Sequence, residues 1–102
     1  MMNTISDKIV CETPTPGKKP TRIDRWKYEL LRKTILELLP ASGEGVLFSR
    51  LTGLVKDHLN REQLVRIGSL SWYTTTVKLD LEVKGEIYRI PGSTPQRLLR
   101  IK

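Results

Sequence analysis

The chain alternates between stretches whose apolar residues recur every three or four positions and short runs where they alternate or cluster. Tyr28, Leu31, Ile35, Leu38 and Leu39 fall on one face of a helix that Pro40 stops. Its start is expected at Thr21-Arg22-Ile23-Asp24, which matches a capping-box pattern, and Asp24 also suits an N-cap. Trp26 and Leu30 lie off that stripe and need a second surface, for which the N-terminal arm is available. After the loop 41–45, Val46-Leu47-Phe48 is too short for a helix and reads as an edge strand. Ser49 resembles the N-cap of a second helix carrying Leu51, Leu54, Val55, His58 and Leu59, with Phe48 stapled onto its first turn. Gly53 weakens that helix by ~1 kcal/mol.

Residues 60–68 read as a connection with room for one helical turn. A third helix runs from Ser69 or Ser71 to Lys84, and Gly85 stands where a helix-ending glycine belongs. Its stripe is Leu70, Tyr73, Val77 and Leu81. Thr74, Thr75 and Thr76 lower its propensity, so tertiary packing must hold it. Glu86–Ile90 and Gln96–Lys102 then form a hairpin around Pro91-Gly92-Ser93-Thr94-Pro95. Residues 1–20, with Pro14, Pro16, Gly17 and Pro20, read as an extended or disordered basic arm, although Ile9, Val10 and Cys11 could add a short strand.

Helix, short strand, helix, helix and two-stranded hairpin is the order of the winged helix-turn-helix fold. Leu81-Glu82-Val83-Lys84-Gly85-Glu86-Ile87-Tyr88-Arg89 resembles the passage in which a winged-helix recognition helix gives way to its wing. Residues 21–29 and 71–82, with Pro95-Gln96-Arg97-Leu98, resemble a family of small uncharacterised bacterial proteins with a winged-helix-like body. The resemblance implies an α+β winged helix-turn-helix domain over 21–102, built of three helices, a short strand and a C-terminal hairpin wing. It implies no activity.

Charge gives this fold an expected partner. Eighteen Lys and Arg against eleven Asp and Glu leave a net +7 over 102 residues. The excess lies in two zones, residues 18–33 and residues 85–102. On a winged helix, Ser71, Thr75 and Lys78 would flank the groove-facing side of the third helix, and Arg89, Arg97, Arg100 and Lys102 would charge the wing. The expected function is nucleic-acid binding, to DNA, mainly through phosphates, as in a transcriptional regulator.

The third helix also argues against base reading. Trp72, Leu79 and Val83 form a second apolar stripe almost opposite the first, and Asp80 and Glu82 add negative charge. That stripe is either core under the wing and arm, or a face for a protein partner or a second copy. A protein-interaction module without DNA binding is therefore the alternative reading.

Other chemistry is not expected. His58 falls on the apolar side of its helix, as a packed histidine does, without a Cys or carboxylate at ligand spacing. Cys11 is the one cysteine, so no internal disulfide or multi-cysteine metal site can form, which fits a reducing compartment. Ser42-Gly43-Glu44-Gly45 lacks the Lys-Ser/Thr ending of a phosphate loop. No catalytic residue, metal, cofactor or small-molecule ligand is expected, and neither is an enzyme. No apolar run is long enough to span a bilayer, and the N-terminus lacks a signal peptide's apolar stretch. The expected compartment is the cytoplasm, without membrane association.

Overall fold

The computed structural model describes residues 7–102. The arm carries the short strand that Ile9, Val10 and Cys11 could add. Lys8–Cys11 (β1) and Thr21–Asp24 (β2) pair antiparallel, with Lys8 opposite Asp24 and Cys11 opposite Thr21. Alternation does the rest: Cys11 and Ile23 turn inward and are buried, while Val10 and Arg22 point outward. The capping box expected at Thr21–Asp24 is thus a strand. Asp24 does occupy the N-cap position of α1 (Arg25–Leu38), but its side chain makes no capping bond. Its carboxylate instead accepts a hydrogen bond from Lys8 Nζ at 2.6 Å, which holds its pKa below the ordinary value.

Tyr28, Leu31 and Ile35 bury the expected stripe of α1. Val46–Leu47 (β3) leads straight into α2 (Phe48–His58), which starts one residue before Ser49, with Leu47 at the N-cap position. Leu51 and Val55 are its buried residues. Between α2 and the expected third helix lies an additional one, α3 (Arg61–Ile67), so the described residues hold four helices. Asn60 and Gln63 form a capping box: Gln63 N–H donates to Asn60 Oδ1 at 2.8 Å and Asn60 N–H to Gln63 Oε1 at 2.9 Å.

α4 (Leu70–Val83) is the central element and packs against α1, α2, α3 and β1. It ends as the sequence suggests. Gly85, at φ +76°, donates to the Glu82 carbonyl, and Glu86 N–H donates to the Leu81 carbonyl, the paired bonds of a Schellman motif. Ile87–Arg89 (β4) and Arg97–Arg100 (β5) form the hairpin, and β3 joins the far side of β5. The three strands are antiparallel in the order β3-β5-β4, with Leu98 opposite both Val46 and Arg89. The chain before β3 passes close under β5. Gly45 has φ +74°, and a Cβ there would lie 2.6 Å from the Leu98 carbonyl oxygen. The fold is α+β, with one hydrophobic core shared by the helices, the β1-β2 hairpin and the three-stranded sheet.

Candidate nucleic-acid interface

Of the residues expected to meet phosphate, Lys78 is the clearest correction. It is 1% exposed, pairs with Glu82 one turn on, and holds its ammonium 4.4 Å from the centre of the Phe48 ring. Burial pushes its pKa below the ordinary lysine value in spite of Glu82. The same Glu82 accepts a hydrogen bond from Arg89 Nε at 2.9 Å, so Arg89, though exposed, carries its own counterion. Arg100 is half-buried and donates from Nε to the Leu39 carbonyl at 3.0 Å. Arg97 is half-buried beside Arg50, Gly45 and Leu54. Ser71 and Lys102 are exposed and Thr75 is half-buried. These residues do not converge on one charged surface.

The acids of α4 also differ from expectation. Asp80 is fully buried. Its carboxylate accepts hydrogen bonds from Glu12 N–H at 2.8 Å, Tyr28 Oη at 2.6 Å and Lys84 Nζ at 2.5 Å. It therefore ties the end of β1, the middle of α1 and its own helix together. Burial, then the Asp80 hydrogen bond, pushes the Tyr28 phenol well above its ordinary pKa. Glu82 is 10% exposed at its side chain and is neutralised by Lys78 and Arg89. Neither acid repels a ligand from outside.

The second apolar stripe divides. Trp72 is 49% exposed and Val83 45%, so these two are not intramolecular core. Leu79 is half-buried in a cleft that it lines with Cys11, Glu12, Lys18, Lys19 and Trp72. The arm therefore folds over the middle of α4 and leaves Trp72 at the cleft's edge.

From Trp72 a run of rings and cations continues across the molecule. The Tyr73 ring stands edge-on to Trp72 with centroids 4.9 Å apart. Lys27 Nζ lies 4.3 Å from the Tyr73 ring and 5.8 Å from the Trp26 ring, and Arg66 lies 5.2 Å from the far ring. Hydrogen bonds from Lys27 Nζ to the Ile67 carbonyl at 3.1 Å and to Tyr73 Oη at 3.2 Å fix it between them. Trp26 is 38% exposed. Both tryptophans of the chain thus stand on this surface, with Lys18 and Lys19 at one end and Arg66 at the other. Sequence reasoning named Trp72 but missed the group. The available signal was that both tryptophans fall off the core stripes of their helices.

The remaining groups lie elsewhere. Cys11 is 2% exposed; burial, then the nearby Asp80 charge, lifts its thiol from 9.0 to about 11. His58 is not packed in the core. Its side chain is 43% exposed and Nε2 lies 3.2 Å from Glu37 Oε1. Glu37 also holds Lys33 at 3.1 Å, and that bond above all keeps its carboxyl below the ordinary range. Among the described residues no group of three His, Cys, Asp or Glu side chains could hold a metal ion, and no helix is long and apolar enough to cross a membrane.

No curated protein and no solved structure matches the chain. A family model does, over residues 8–98, from the first residue of β1 into the middle of β5. With most of its length matched, including the arm strand that covers α4, the chain belongs to DUF6958, a family of unknown function.

Proposed function

We propose that the protein binds nucleic acid through phosphate contacts, on a winged-helix body running from α1 to β5. The winged-helix reading is supported by the element order and by the strand order β3-β5-β4, with the second hairpin strand in the middle. The observation that carries the binding reading is where uncompensated charge remains. Among the described residues, Lys18, Lys19, Arg22 and Arg66 have no carboxylate partner within 4.0 Å, as is true also of Lys27, Arg50, Lys56, Arg61, Arg97, Arg100 and Lys102, whereas Arg89 and Lys78 share Glu82. Lys18, Lys19 and Arg22 stand close together on β2 and the loop before it, and we place the main phosphate contact there, with Arg97 and Lys102 adding charge from the hairpin. Base reading by α4 has little support, because Leu79 and Thr76 face the arm.

Fluorescence anisotropy with a labelled oligonucleotide at about 50 and 200 mM salt tests this. Affinity should fall by about 0.9 log units per log unit of salt for each duplex phosphate engaged. A Lys18→Gln, Lys19→Gln, Arg22→Gln variant should flatten that slope by roughly 2 to 3 units. Absence of binding at low salt to single or double strands sinks the proposal.

The exposure of Trp72 and Val83 favours a second reading, a protein partner or second copy on α4. Light scattering that gives a dimer for the parent and a monomer for Trp72→Ala supports it.

A further inference from the structure

We infer that the surface from Lys18 to Arg66 is a stacking platform for single-stranded nucleic acid. The inference rests on the nucleic-acid reading and narrows its ligand. A phosphate-binding surface needs cations only; this one interleaves them with rings. Trp72 stands beside Lys18 and Lys19, Tyr73 beside Trp72, Lys27 between Tyr73 and Trp26, and Arg66 beyond Trp26. Trp72, the more exposed of the two tryptophans, offers a ring for an unpaired base to stack on, and the cations lying over the Tyr73 and Trp26 rings supply charge for the phosphate of each step. A duplex hides those faces inside its own stack, so exposed tryptophans contribute nothing to it without unstacking a step.

The geometry is held rather than incidental. Lys27 is tied by two hydrogen bonds, which fixes its charge between the rings, and the edge-on contact with Tyr73 limits how far Trp72 can turn. Glu12 lies in the cleft beside Lys18, and Glu62 lines the groove beside Arg66 and Trp26. The backbone N–H of Glu12 is engaged by Asp80, which anchors that end of the platform. Charge complementarity selects a polyanion over a basic or apolar peptide, because the platform's cations outnumber these two carboxylates, and the exposed Trp72 ring favours one that carries bases.

The test compares a labelled oligothymidine of about 12 nucleotides with a duplex of equal length. The single strand should bind more tightly and quench tryptophan fluorescence. Trp72→Ala should weaken it roughly tenfold and Trp26→Ala by less, because Lys27 and Arg66 lie over the Trp26 ring, with Trp72→Phe retaining most of the affinity. Duplex affinity should hardly change in these variants, and circular dichroism checks their folding. Duplex bound as tightly as single strand, with the tryptophan variants unaffected, overturns the platform and leaves phosphate binding standing. Binding of neither form overturns both. A dimer that Trp72→Ala dissociates, with no oligonucleotide bound, assigns the surface to a second copy and overturns the inference.

Discussion

Replacing Asp80 by Asn should loosen the N-terminal hairpin before it unfolds the domain. The parent carboxylate is fully buried and takes three donors, from Glu12, Tyr28 and Lys84. A carboxamide of the same shape offers one oxygen acceptor, and its NH2 must then face one of those donors. Hydrogen bonds to a charged group contribute about 1.5–3 kcal/mol, and a buried donor left without a partner costs about 1–3 kcal/mol. Lys84 adds little to the loss, because its side chain is 41% exposed and turns to water. The expected destabilisation is about 2–4 kcal/mol, which a domain with roughly 5–15 kcal/mol in hand survives folded. Urea denaturation reads the total. Alkylation of Cys11 reads its location, because Cys11 is 2% exposed and is the last residue of β1, next to Glu12. Local opening made easier by about 2 kcal/mol should raise the alkylation rate roughly 30-fold. Tyr28→Phe removes one donor and should show a coupling of about 1 kcal/mol with Asp80→Asn in a double-mutant cycle. A variant with unchanged urea midpoint and unchanged alkylation refutes the assignment of Asp80 as the clamp.

Lys78→Met should cost less than breaking the pair from the other side, since an apolar chain of similar length fills the site and Glu82 keeps Arg89 as a counterion. Glu82→Gln should lose about 3–5 kcal/mol by stranding a buried ammonium, and thermal melts separate the two. Gly45→Ala should cost about 3 kcal/mol or more, from a left-handed φ and the contact with the Leu98 carbonyl. Gly43→Ala, with φ +93° and open space around it, should cost only about 1–2 kcal/mol, and equal urea midpoints would undo the argument. The buried Cys11 thiol ionises later in the folded chain than in the unfolded one, from 9.0 to about 11. Its stabilising contribution is thus complete below pH 9 and lost as pH rises through 11, roughly 2–3 kcal/mol in all. Stability measured across that window should fall less steeply in Cys11→Ala.

The helices were legible where periodicity, caps and stops agreed. Tyr28, Leu31 and Ile35 are buried on α1, and Gly85 ends α4 with the bonds its position suggests. Ser49 misled because a serine beside a short apolar run suits an N-cap locally, whereas β3 pairing with β5 fixes the backbone and lets the helix begin at Phe48. Thr21–Asp24 misled in the same way, because pairing with a strand 13 residues earlier outweighs a local cap. α3 was missed although Asn60-Arg61-Glu62-Gln63 carries a capping-box spelling, because its seven residues hold too few apolar positions to show a period. Burial of polar groups was the least legible. Nothing in the spacing of Lys78, Asp80 and Glu82 says that their partners, Phe48, Glu12, Tyr28 and Arg89, come from distant segments.

That burial resolves the conflict posed by α4. A helix apolar on two sides and acidic between them suits neither a groove nor a simple surface. It does suit a helix packed on several sides. Its acids then compensate cations beside them, Asp80 the exposed Lys84, and Glu82 the buried Lys78 and the exposed Arg89. Together these two acids and three cations leave a net of +1, so +6 of the net +7 comes from an excess of cations elsewhere. Lys18, Lys19, Arg22 and Arg66 are among them, and three of the four flank the exposed tryptophans or contact them. The helix whose Ser71, Thr75 and Lys78 are expected to flank a groove is thus packed as a scaffold, and its first turn, through Trp72 and Tyr73, is the part that lies beside Lys18, Lys19 and Lys27.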